Sequence, residues 1–137
     1  MVPLQLYRTL QQVASLLPDV EHWPEAAALL RNQRFDKKPM KVTFNAYSDR
    51  VSTGQAGQEG ASPSGLQTMR YLTRNDIISN VDSLRFELDY LIREREKGEA
   101  GDADTADLSK YMRAVLSGFE AYFKLLPRED VAAAVGS

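Results

Sequence analysis

Apolar residues near the start of the chain recur at intervals of four, three and four. Leu6, Leu10, Val13 and Leu17 fall on one stripe, which predicts a helix over residues 4–17. Pro18 ends it, because a residue that precedes proline is pushed out of the α region. A second helix starts at Trp23 and Pro24, where proline occupies a first turn that does not use its missing donor, and it carries Ala26, Ala27, Leu29 and Leu30. The polar run 31–38 and Pro39 should break or kink this arm, after which Met40, Phe44, Tyr47 and Val51 return to a single face. The second arm is therefore expected in two pieces.

Residues 52–65 hold four of the eight glycines and almost no large apolar side chain, which predicts a mobile loop. Ser62 and Pro63 suit a helix N-cap and first turn, and Leu66, Met69 and Leu72 follow at three-residue spacing. From there Ile77, Val81, Leu84, Leu88 and Leu91 repeat four, three, four, three, with Phe86 and Ile92 widening the face. One long helix over about 63–97, ended by Gly98 and Gly101, is the reading. Asp104 or Thr105 caps the next helix, with Asp107 in its first turn, and Leu108, Met112, Val115, Phe119, Tyr122 and Leu126 form the most regular stripe of the chain. Pro127 ends that helix and leaves 128–137 as a short flexible tail. The regular parts 76–97 and 104–126 each run to about 33 Å, and equal lengths joined by a short connection predict an antiparallel hairpin.

No segment alternates apolar and polar residues with the bias of a strand; residues 42–44 come nearest, and the helical stripe around them reads better. The fold class is all-α. Four apolar arms bury their stripes only against one another, and an up-down-up-down four-helix bundle is the simplest closed solution. Its expected core is Leu10, Val13, Leu17, Leu30, Phe44, Tyr47, Ile77, Val81, Leu84, Leu88, Leu91, Met112, Val115, Phe119 and Leu126.

Composition narrows the chemistry. At 137 residues, 43% of them hydrophobic and 26% charged, the chain has the makeup of one globular domain, large enough to bury a core without staples. The mean hydropathy is −0.39, and no apolar run is long enough to span a bilayer. The first six residues carry neither a basic leader nor an apolar signal core, so an exported or imported protein is expected to be read here in its mature form. With no cysteine, disulfides, zinc fingers, iron–sulfur clusters and thiol nucleophiles are excluded. A net charge of −2 argues against nucleic acid as a partner.

Few residues remain for catalysis. A di-metal site of the ferritin kind needs Glu-x-x-His pairs on inward faces, and His22 is the only histidine. Glu94, Glu96 and Glu99 interleave with Arg93, Arg95 and Lys97 in the manner of a solvated helix end. No nucleophile elbow, triad or phosphate-binding glycine loop is present, and Gly54 and Gly57 are spaced wrongly for either phosphate motif. No catalytic, cofactor-binding or metal residue is assigned, and the chain is not read as an enzyme. His22 and Trp23 form either an exposed recognition pair or, the blander reading, a hydrophobic staple at the start of the second helix. Tyr111, Phe119, Tyr122 and Phe123 have core spacing rather than that of a cofactor box. The distinctive feature is Arg31, Arg34, Lys37, Lys38 and Lys41, opposed only by Asp36, which give a local charge of +4 within eleven residues. Such a patch is either a solvated helix end or a docking surface for an acidic protein or anionic headgroups.

Four phrases carry a resemblance. Leu16-Leu17-Pro18, the Trp-led arm from Trp23-Pro24-Glu25-Ala26-Ala27 to Leu30-Arg31, Met69-Arg70-Tyr71-Leu72, and the run from Phe119-Glu120-Ala121-Tyr122 to Leu126-Pro127 together resemble the PsbQ-like extrinsic proteins of oxygenic photosynthesis. The likeness spans most of residues 4–127, and the long Gly/Ser-rich loop favours an algal branch of the red lineage or diatom type. It implies a non-catalytic four-helix bundle without a cofactor of its own. Such a bundle sits peripherally in the thylakoid lumen of a plastid, bound to the lumenal surface of photosystem II and to other extrinsic subunits. There it stabilises the oxygen-evolving complex and helps retain calcium and chloride. The basic group at 31–41 is then the candidate docking surface. A lumenal subunit of another photosynthetic complex, a small helical adaptor that takes a peptide helix in a groove, and an enzyme with an unrecognised site are the alternatives.

Overall fold

Short polar side chains, proline and glycine set the helix boundaries. The computed structural model describes residues 2–50, 63–98 and 104–135, and among these no residue is in a strand. The fold is all-α. Helix α1 spans Val2–Leu16 and stops ahead of Pro18. Asp19 then accepts from the Glu21 N–H at 3.0 Å and opens a 3-10 turn, Val20–His22, that leads into α2, Trp23–Leu30. A second 3-10 turn, Gln33–Phe35, is opened in the same way by Asn32, whose side-chain oxygen accepts from the Arg34 N–H at 3.0 Å.

Helix α3 spans Lys37–Arg50, so the second arm is in two pieces, but proline is not what breaks it. Pro39 lies in the first turn of α3, where its missing donor is not needed, and the Asp36 carbonyl accepts the first helical bond from the Met40 N–H at 3.0 Å. The break comes from the turn-forming residues at 31–36.

Helix α4, Pro63–Glu96, has 34 residues, which at the helical rise makes it about 51 Å long. Gly98, at φ 75°, ends it in a left-handed conformation that glycine adopts without strain. Helix α5, Ala106–Lys124, is shorter than the expected 104–126, because the Leu125 and Leu126 N–H groups close 3-10-type bonds to Tyr122 and Phe123. Its first free donor, the Ala106 N–H, is taken by Asp104 at 2.9 Å, while Thr105 makes no side-chain cap. The expected flexible tail is helical over α6, Arg128–Val135, with Glu129 and Asp130 complementing the positive end of its dipole. Of the expected loop at 52–65, residues 63–65 belong to α4, and 52–62 lie outside the described residues, as do 136–137.

Helix α4 is the spine. Arg70 meets Leu125 and Ile77 meets Gly118, so α5 runs antiparallel to it, as the hairpin reading required. On its other side Arg74 meets Asn45, Arg85 meets Asp36 and Arg95 meets Glu21, so the α2–α3 arm is antiparallel to it as well. Helix α1 packs on α2 and α5. Tyr7 stacks at 5.8 Å from Phe119 and 5.5 Å from Phe123, and its hydroxyl donates to Glu120 at 3.0 Å.

Thirteen of the expected core residues are buried; Leu17 is only half-buried against the core, and the Tyr47 side chain lies outside the described residues. Phe86, expected to widen the inner face of α4, points outward at 68% exposed, and Met69 and Leu72, noted at three-residue spacing after Pro63, are 44% and 59% exposed. Phe86 is nine residues from buried Ile77, about two and a half turns, and so sits on the opposite side of the helix. The inner face continues upstream through Leu66 and Arg70.

The α4–α5 contact is close at Gly118, where an added Cβ would stand 2.9 Å from Ile77 Cγ1. Alanine gains up to about 1 kcal/mol of helix propensity over glycine. Against this, Ile77 is fully buried and stiff at χ1, and forced overpacking costs roughly 1–3 kcal/mol. Gly118→Ala should therefore destabilise, by about 1 kcal/mol in urea unfolding; an increase in stability would mean that the two helices are free to separate.

Candidate docking surface

The basic cluster divides in space. Arg31, at the C-cap of α2, turns toward α4 and stands 3.7 Å from Asp89, while Arg34 is exposed in the second 3-10 turn. Asp36, the lone opposing carboxylate, is held at 3.0 Å by Arg85, which also donates to the Phe35 carbonyl at 3.0 Å. Lys37, Lys38 and Lys41 remain. They occupy the exposed opening turns of α3, and among the described residues no ion pair engages them.

Lys37 and Lys41, one turn apart, form one wall of a groove of about 710 Å³ that runs along the outward side of α4. Asn75, Ile78, Ser79, Asp82, Ser83, Phe86 and Glu87 of α4 and Tyr111 of α5 line the rest of it. Lys37 and Lys41 are thus the two members of the expected patch that the fold aims at a common space. Burial first, then the negative charges of Asp107 and Asp104, raise the Glu87 carboxyl above the ordinary glutamate value.

The other candidates resolve simply. Trp23 is 1% exposed and donates its indole N–H to the Leu17 carbonyl at 2.9 Å, so it anchors the start of α2 and is not a recognition residue. His22 is exposed between Asp19 and Glu25, at 3.6 and 3.5 Å. Phe119 and Tyr122 are buried, with Tyr111 and Phe123 half-buried against the same core. Arg95 reaches Glu21 at 2.5 Å and Lys97 reaches Glu94 at 3.6 Å, while Glu99 lies outside the described residues. Among the described residues no three His, Asp or Glu side chains are grouped to hold a metal, and no helix is long and apolar enough to cross a membrane. Of the groove residues, Phe86 and Tyr111 were read as part of apolar faces, and Ile78, Ser79, Asp82, Ser83 and Glu87 were not singled out in the sequence. An aromatic half a helical circumference from the buried stripe was the available signal.

Comparison with protein-family models, with characterised proteins and with solved structures finds no match to this chain.

Proposed function

We propose that the chain is a non-catalytic docking subunit, an up-down-up-down four-helix bundle whose arms are α1, α2–α3, α4 and α5. The antiparallel course of α2–α3 against α4, and of α4 against α5, supports that topology. The observation that carries the function is the opening of α3. Lys37, Lys38 and Lys41 are exposed without a counter-ion among the described residues, whereas neighbouring Arg31 is paired with Asp89. Unpaired surface lysines steer association with an acidic surface and lose their effect as salt rises.

The resemblance to PsbQ-like proteins names that surface as the lumenal face of photosystem II, in the thylakoid lumen and peripheral to the membrane. The bundle would there stabilise the oxygen-evolving complex and help retain calcium and chloride. The experiment is rebinding to photosystem II membranes stripped of extrinsic subunits, read as bound protein and as oxygen evolution in calcium- and chloride-poor buffer. The wild-type chain is expected to rebind and raise the rate. Lys37→Glu/Lys38→Glu should bind about tenfold more weakly at low salt, with the gap closing as salt is added. Absence of wild-type rebinding rejects the photosystem reading, and salt-independent rebinding removes the lysines. The second reading, a small helical adaptor in another complex, is favoured by the exposed Phe86 in the groove.

A further inference from the structure

The outward side of α4 carries a second stripe, opposite the one that enters the core. Positions 69, 72, 76, 79, 83, 86, 90 and 93 follow one another at intervals of three and four, the repeat of a helix-pairing seam, and all are exposed except half-buried Ser83. Its large apolar side chains stand in two pairs, Met69 with Leu72 at one end and Phe86 with Tyr90 toward the other, and the middle is held by Ser79 and Ser83. The order of the intervals reads the same from either end. A second α4 laid antiparallel on the first therefore meets it position for position, about a centre at Val81. In that register Leu72 faces Tyr90 of the other copy, and Phe86 stands within about 6 Å of the same leucine along the axis. Each apolar pair thus meets the other, while serine faces serine and lets the helices come close.

The charges agree with the same register. Lys37, Lys41, Asp82 and Glu87 border this face, two of each sign, and among the described residues no ion pair engages Lys37, Lys41 or Asp82. Arg85 is tied to Asp36 and Arg74 to Asn45, so Lys37 and Lys41 of α3 stand about level with Leu84 and Ser79 of α4. Asp82 lies on the same side of α4 as Arg85 and Asp89, which pair with the α2–α3 arm. The two-fold axis of an antiparallel pair keeps that side of one copy against the same side of the other. It brings Asp82 of one copy level with Asn80 of the other, between that copy's Lys37 and Lys41. A parallel pair would instead set Asp76 on Asp76 and Asp82 on Asp82. A partner of one sign leaves half of these charges unanswered, whereas a second copy answers both signs by symmetry.

We propose that two copies of the chain pair antiparallel through the outward faces of α4, Phe86 and Tyr90 of each lying on Met69 and Leu72 of the other, with Asp82 between the opposite Lys37 and Lys41. The inference goes beyond the docking reading and does not depend on it; Lys38 lies outside this face. Asp76 limits the affinity, because it comes level with Phe86 of the other copy, where an apolar ring displaces its water.

Sedimentation equilibrium of the whole chain tests this without any other protein. One helix-on-helix contact is smaller than a standard interface, so a dissociation constant on the order of 10–100 μM is expected, with the mass rising from 15.4 kDa toward twice that value. Phe86→Ser, lost twice in each dimer, should weaken association at least about tenfold, and Asp76→Asn should strengthen it about threefold. Lys41→Glu and Asp82→Lys should each weaken it about tenfold when alone, and an equimolar mixture of the two should regain wild-type affinity, because the opposite charges then meet across the two-fold axis. All four positions are exposed, so thermal midpoints should stay unchanged. A chain that is monomeric at about 1 mM, a dimer indifferent to Phe86→Ser, or a mixture no tighter than its separate components would overturn the proposal. Failure here leaves rebinding to stripped membranes untouched, and absence of that rebinding leaves the dimer untouched.

Discussion

Phe119→Ala is expected to lower the unfolding free energy by about 4 kcal/mol, the middle of the range for deleting a buried aromatic. For a chain of this size that corresponds to a fall of roughly 12–15 °C in the thermal midpoint. Phe119 is fully buried and lies where three helices meet: 5.8 Å from Tyr7 of α1, 5.6 Å from Phe44 of α3, and 6.1 Å from Phe123 of its own helix. Phe44 is in turn packed edge-on to Tyr122 at 4.8 Å, so the rings form one connected cluster. A cavity bordered by three separate elements cannot be closed by shifting one of them, which is why the cost should approach the full transfer and cavity terms. Phe119→Leu, which keeps most of the volume, should cost about 1–1.5 kcal/mol. Thermal and urea unfolding followed by circular dichroism decide the matter. A loss below 1 kcal/mol for the alanine variant would mean that α1 and α3 are not both held by α5.

How much of this was legible beforehand follows from where the chain gives a periodic signal. The stripe from Ile77 to Leu91 and that from Leu108 to Leu126 each keep one face for several turns, and both faces are buried as read. Phe86 does not widen that face, because hydrophobicity alone does not say which side of a helix it lies on when both sides carry some. Arg70 completes the inner face in the turn where Met69 and Leu72 point outward, and a charged residue gives no hydrophobic signal for that. Pro39 was read as a breaker because a proline inside a helix and a proline in a first turn differ only by where the helix begins. Asp36 decides that, by offering its carbonyl to Met40.

The candidate surface was half legible. Five basic residues in eleven are visible in the sequence, but the ion pairs of the segment are not, since Asp89, which pairs with Arg31, and Arg85, which pairs with Asp36, lie far along the chain on α4. Only the fold separates Arg31, spent on Asp89, from Lys37 and Lys41, which face the groove. The same charges that hold the α2–α3 arm to α4 therefore also determine which cations are left for a partner. Stability and docking here draw on adjoining residues of one segment, and each can be altered without the other: Phe86 and Lys41 are exposed, whereas Phe35 and Met40 beside them are buried.

Arg70→Ala is the second substitution with a large expected effect, a loss of about 3–4 kcal/mol. The side chain is 1% exposed on the inner face of α4, and its Nε and Nη2 both donate to the Leu125 carbonyl, at 3.1 and 2.9 Å. Leu125 is the C-cap of α5, so a cation is placed at the negative end of that helix dipole, against a carbonyl that has no helical donor. Nη1 is buried without a hydrogen-bond partner among the described residues, and no carboxylate there pairs with the guanidinium. The group is thus costly to bury and is held by one carbonyl, and three variants separate its contributions. Alanine removes the cation, the bonds and the volume together. Methionine fills much of the space and removes the desolvated charge, leaving chiefly an unsatisfied carbonyl, so its loss should be about 1–2 kcal/mol. Lysine retains the charge but cannot make the paired bonds, and should fall between the two. Because the chain turns from α5 into α6 at Leu125–Pro127, losing this tie should also speed amide exchange at Leu125 and Leu126 before the rest of α5 is affected. If the methionine variant is as destabilised as alanine, the cation itself fastens α5 to α4. If it equals the wild type, Arg70 serves by its volume alone, and the bonds to Leu125 contribute nothing net.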